Sequence, residues 1–157
     1  MNSSRSEHFK EALLVLLDET FDNVHGYYLD KETSLFETLS SISADEASIP
    51  VGGKGATLAA QVKHVAFYLD VIEKSAYDPN LPKADWGAIW RTVSRVTHGE
   101  WLEIQVELRA SYSRILNLIE ATPGWPSEDD FDSAIAIIAH TSYHLGEIRQ
   151  ALCVLRP

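Results

Sequence analysis

Four long stretches of this sequence repeat apolar residues at helical spacing, and no segment of useful length alternates with the period of a strand. That pattern confines the chain to the all-α class. The first stretch runs from about Ser6 to His25. It places Phe9, Leu13, Leu16, Leu17, Thr20, Phe21 and Val24 on one arc, with Glu11, Asp18 and Glu19 opposite. Ser4 and Glu7 read as a capping box at its start, and Gly26 ends it. Ser34 to Leu39 reads as a short helix, whereas Asp45 to Pro50 and Gly52 to Gly55 read as loop for their turn chemistry. The second long helix is expected from a Thr57 cap to Ala76. Leu58, Val65, Tyr68, Val71 and Ile72 form its apolar side, and Lys63, Asp70, Glu73 and Lys74 the other.

Asp78 to Pro82 is a further loop, followed by Trp86 and Trp90 at helical spacing. Thr97 with Glu100 forms a capping box for the third long helix, to about Glu120, with Trp101, Ile104, Leu108, Tyr112, Ile115 and Ile119 inward. Pro123-Gly124-Trp125-Pro126 breaks the chain. Ser127 then caps the fourth helix, with Glu128, Asp129 and Asp130 in its first turn and an end near Val154. Phe131, Ile135, Ile138 and Leu145 lie on one face of that helix. Ser133, Ile137, His140, His144 and Glu147 lie nearly opposite, which predicts a deeply buried helix. The expected architecture is an up-down four-helix bundle with a short extra helix and a long first loop, in one domain over 1–157.

His140 and His144 stand four residues apart, so two imidazoles project from one helical face toward one point. His64 falls within the apolar arc of the second helix. Three neutral imidazoles converging in a bundle form a metal site with open positions. Taken singly, each histidine reads better as a hydrogen-bonded structural residue. Taken together, three buried imidazoles without partners would be costly, and a metal ion accepts a lone pair from each. The zinc-protease pattern does not apply, because Thr141 stands where its glutamate would be. Glu147, on the same stripe, is no more than a candidate base. It could also accept an imidazole N–H, act as a fourth ligand or pair at the surface. Gln61 lies three residues before His64 and reads equally as projecting toward the same pocket or as a bundle-packing residue. His8, His25 and His98 read as solvent-facing, and Cys153 as a packed thiol away from the site.

The 157 residues carry a formal net charge of -10, which disfavours nucleic acid and anionic membrane as partners. No apolar run is long enough to span a bilayer. With one cysteine and no signal-peptide pattern, the sequence fits the reducing cytoplasm. Four tryptophans exceed what one small core needs, so a homodimer using the Trp86 and Trp90 surface is expected.

The segments Gln61-Val62-Lys63-His64 and His140-Thr141-Ser142-Tyr143-His144-Leu145-Gly146-Glu147-Ile148-Arg149-Gln150 resemble the DinB/YfiT-like family of metal-binding helical bundles. Tyr27 to Asp30 and Ser34 to Leu39 are also similar to a subset of that family. The resemblance implies one divalent ion, zinc or nickel, on His64, His140 and His144, and frequent homodimers. It further implies thiol chemistry with a low-molecular-weight thiol such as bacillithiol or mycothiol. The expectation is a metal-dependent thiol transferase acting on a small molecule. The alternatives are a non-catalytic metal-binding or stress-response module and a metal-dependent hydrolase.

Overall fold

The structure is a computed structural model that describes residues 3–78, 80–122 and 128–156. It is all-helical. Helix α1 spans Ser3–Phe21, α2 Leu35–Ser40, α3 Ala44–Ala47, α4 Leu58–Tyr77, α5 Ala88–Thr92, α6 His98–Ala121 and α7 Glu128–Leu155. A 3-10 turn over Val51–Gly53 precedes α4. None of the described helices is long and apolar enough to cross a membrane.

The caps follow local chemistry. The Thr57 hydroxyl accepts the Ala60 N–H, so α4 starts where the sequence predicts. Thr97 and Glu100 satisfy each other's backbone N–H groups at the start of α6. A similar box, Ser43 with Glu46, turns the expected loop after Ser43 into α3. Helix α1 begins at Ser3, ahead of the expected Ser4 cap, whose side chain lies outside the described residues. The Pro123 to Pro126 break, Trp125, the Ser127 cap and the first-turn acids of α7 also fall outside the described side chains.

The directions of the long helices depart from an alternating up-down order. Lys63 pairs with Glu107, then Asp70 and Glu73 with Arg114, so numbering rises together along α4 and α6 and the two run parallel. His64 meets His140 and Gln61 meets His144, so α4 and α7 run antiparallel. Lys10 reaches the Glu120 carbonyl while Phe21 stacks on Tyr112, which makes α1 and α6 antiparallel. Phe9 packs on Phe131, and Thr20 connects through the Tyr28 hydroxyl to Ser142, so α1 and α7 run parallel. Two parallel helices that follow one another need a connection running back along their length, roughly 30 Å for a helix of this size. Residues 80–97, with α5 among them, lie on that return.

The core joins Leu13, Leu17 and Phe21 of α1 to Val62, Val65 and Leu69 of α4, Leu108 and Ile115 of α6, and Leu145 and Ile148 of α7. Burial is densest on α4, where every residue from Leu58 to Ala66 except Lys63 is buried. The fourth helix was expected to hold that place. Instead α7 is amphipathic and leaves Ile135 exposed, because Ala134, Ile137, Thr141 and Leu145 are the residues it turns inward. Lys63, Asp70 and Glu73, from the side of α4 opposite its apolar one, face α6 and make the ion pairs above, whereas Lys74 is exposed. Cys153 is exposed rather than packed, since it follows the outward stripe of Gly146 and Arg149.

Glu19 also departs from its expected place on the charged arc: it is fully buried. Its two carboxylate oxygens accept the backbone N–H groups of His25, Tyr27, Tyr28 and Leu29 at 2.8–3.2 Å. Burial alone would raise its pKa. The four N–H groups together outweigh burial and hold it below the ordinary carboxylate value. This carboxylate folds the loop after α1 back onto the helix and brings Tyr28 to Thr20. Glu19→Gln replaces one acceptor oxygen with a donor facing His25 or Tyr28. The expected cost is about 2–3 kcal/mol, read as a lowered denaturant midpoint at neutral pH. The folded pKa is depressed, so the stabilisation is complete above the unfolded value of 4.5 and fades as pH falls through the folded one. The gap between wild type and variant should therefore close on acidification. A variant as stable as wild type at neutral pH would contradict this role.

Candidate metal centre

The parallel α4 and the antiparallel α7 bring the three predicted histidines to one place. Gln61 and His64 lie one turn apart on α4, and His140 and His144 one turn apart on α7. The ring centroids stand 5.1 Å apart for His64 and His140, 4.9 Å for His64 and His144, and 4.6 Å for His140 and His144. One nitrogen from each ring can be chosen so that all three lie within 4.8 Å of one another. The Nε2 atoms of His64 and His140 face each other at 3.2 Å. Two nitrogens that share one zinc at ~2.0–2.1 Å and a tetrahedral angle stand roughly 3.3 Å apart, so this pair already has the spacing of a shared ligand edge.

His144 is oriented from behind. Its Nδ1 lies 3.2 Å from Gln61 Oε1 and 3.0 Å from Glu147 Oε2. Both neighbours are acceptors, which places the proton on Nδ1 and leaves the Nε2 lone pair for a ligand. His64 and His140 differ: their Nδ1 atoms are buried without a hydrogen-bond partner among the described residues. An ion held on the facing Nε2 atoms would leave these two Nδ1 N–H groups without an acceptor among the described residues. The donor set fits a divalent ion of zinc or nickel type, which takes imidazole nitrogen readily.

The surroundings keep the rings neutral. Burial lowers the His64 pKa, with the neighbouring His144 adding to the effect and Glu147 opposing it. Burial, then His144 and His64, lowers His140 to about 4. Burial also lowers His144 against the opposing pull of Glu147. Protons therefore compete weakly for these lone pairs near neutrality.

The sequence reading missed the aromatic shell. Tyr68 stacks on His140 at 3.7 Å between centroids and 12° between planes. Trp90 packs on His64 at 4.7 Å, and Trp86 approaches the same ring at 6.2 Å while touching Phe67 and Tyr68. Trp86 and Trp90 lie on the return segment between α4 and α6, and that path carries them across the histidines. Tyr68 was read as plain core; its position one turn after His64 was the available signal. Trp101 belongs to the core, where its indole N–H donates to the Ile42 carbonyl. His8, His25 and His98 are exposed, as expected.

A cleft of about 440 Å³ opens on the His144 side. It lies between the turn at Val51 to Ala56 and α7, and is walled by Trp90, Tyr143 and Glu147. Of the three histidines, His144 lines this space, which is large enough for a small molecule. No protein-family model, curated protein or solved structure matches the chain.

The depressed His140 pKa has a consequence for the metal-free protein. Below the ordinary imidazole value of 6.5 the unfolded chain takes up a proton that folded His140 refuses until about 4. The unfolded state then binds more protons, so stability falls as pH falls across that window. Denaturant midpoints of metal-free protein should drop across it, more steeply than in His140→Gln. Equal slopes in the two proteins would contradict a neutral, desolvated His140.

Proposed function

We propose that this protein binds one divalent metal ion, zinc or nickel, through His64, His140 and His144, and acts as a metal-dependent thiol transferase of the DinB-like type. The observation that carries the reading is the convergence of three neutral imidazoles from two helices, with an Nε2–Nε2 separation of 3.2 Å and His144 braced by Gln61 and Glu147. When bound, the ion supplies a positive charge that lowers the pKa of a thiol or water in its open position.

The chain's own residues perform the remaining tasks. Gln61 and Glu147 fix the tautomer and angle of His144. Tyr68 holds the plane of His140 by stacking. Trp90 covers one side of His64 and reduces access of water from the return segment. Glu147 also accepts a hydrogen bond from the Tyr143 hydroxyl. It is the carboxylate that lines the cleft beside His144, and so the group placed to hold a proton during transfer.

Untagged protein is expected to carry about one divalent ion per chain, and His140→Ala or His144→Ala to lose it at neutral pH. Wild-type metal content in either variant would overturn the assignment. His64→Ala separates a ligand from a core residue. With a ligand role, a chelator lowers the melting temperature of wild type and leaves that of the variant unchanged, while the variant stays folded. An equal chelator response in both proteins would remove His64 from the ligand set. Transfer of thiols to an electrophile, assayed in metal-loaded wild type and in His144→Ala, tests the reaction itself.

A further inference from the structure

The cleft beside His144 has a chemical character that narrows what it can hold. It continues along α7 past Val51, Gln61 and Glu147 toward Val154 as a second hollow of about 480 Å³. No lysine or arginine is among the described residues that line either part. The charged side chain they share is Glu147, whose Oε2 lies against His144 and whose side chain remains 38% exposed. Two aromatic rings stand in the same cleft with much of their surface open, Trp90 at 40% and Tyr143 at 62% exposed. The chain as a whole carries a formal charge of -10.

Each feature acts on the charge of a ligand. In the metal-free protein a carboxylate or phosphate entering here would meet no lysine or arginine among the described lining residues and would leave water without compensation. A protonated amine would meet the Glu147 carboxylate for a charge-assisted hydrogen bond and aromatic faces that attract cations. The apolar atoms of Val51 and Ala56 suit a short hydrocarbon chain behind such a group.

We propose that this cleft binds the protonated amine of a small organic ligand, seated on Glu147 between Trp90 and Tyr143, with the rest of the ligand directed at the three histidines. The assignment rests on the reading above for its link to a reaction, and it narrows the thiol or its acceptor to an amine-bearing compound.

The test uses metal-free full-length protein and three probes of matched length: n-butylammonium, n-butanol and butyrate. Calorimetry measures affinity, and methyl NMR shifts at Val51 and Ala56 report where the probe sits. Butylammonium should bind at least about tenfold more tightly than butanol, and butyrate most weakly. Glu147→Gln should abolish the preference for the cation. Trp90→Leu, a second variant that leaves the carboxylate in place, should weaken butylammonium more than butanol. Equal affinities for the three probes, shifts only outside the cleft, or a preference that survives in Glu147→Gln would each overturn the proposal. Because no metal is present, a failed metal assignment leaves these outcomes readable, and a failed amine site leaves the metal content of the protein unaffected.

Discussion

The packing of α4 alongside α6 in the same direction is the constraint from which the rest of the molecule follows. Lys63, Asp70 and Glu73 hold that register through Glu107 and Arg114. These pairs are partly exposed, so their contribution is modest, but they meet in order along two helices and so specify one alignment. With its charged side committed to α6, α4 turns Gln61, His64 and Tyr68 toward α7, which passes in the opposite sense. His64 then meets His140, and Gln61, one turn earlier, meets His144 one turn later. The parallel pairing also compels the chain to return along the helices before α6 can begin. That return brings the indoles of Trp86 and Trp90 onto His64. Helix direction, ligand geometry and the aromatic cover of the site are consequences of one alignment.

The buried polar groups of the core fall into two kinds. Glu19 is saturated: four backbone N–H groups converge on it, and the loop that supplies them is shaped by doing so. The Nδ1 atoms of His64 and His140, like the hydroxyls of Ser6 and Thr141, are buried with no partner among the described residues. Leaving a buried nitrogen unpaired costs about 1–3 kcal/mol, so these atoms do not contribute to stability. His144, with two acceptors on one nitrogen, shows that the same pocket supplies partners where orientation requires them.

Much of the local structure was legible in the sequence, because it depends on neighbours close in the chain. Thr57, Thr97 with Glu100, and the arc from Trp101 to Ile119 gave helix limits and an inward face that the structure reproduces. The convergence of His64, His140 and His144 followed from helical spacing and an apolar setting. The Ser43 and Glu46 box was there to be read and was overlooked among turn-forming residues. What stayed hidden depends on long-range geometry. Apolar periodicity carries no information about helix direction, so alternation was assumed where α4 and α6 run parallel. A helical wheel treats every glutamate as solvated, so the burial of Glu19 depends on a loop conformation that the wheel does not contain. Ala59, Ala60 and Ala66 look indifferent on a wheel, yet their small size lets α4 become the most enclosed helix.

The two sides of the histidine cluster are chemically unlike, and this decides how a ligand can approach. On the α4 side the rings of Trp86, Trp90, Phe67 and Tyr68 press against one another and against His64 and His140. On the α7 side the space narrows to His144 between Tyr143, Glu147 and the turn after Pro50, and it is open to solvent without any rearrangement. His144 is also the ring whose angle is fixed from behind by two acceptors. The ring whose angle is fixed therefore lines the cleft through which a ligand arrives, with Trp90 beside it on the same wall. Glu147 and His144 line this cleft side by side, so a ligand meets the carboxylate and the imidazole at the same place.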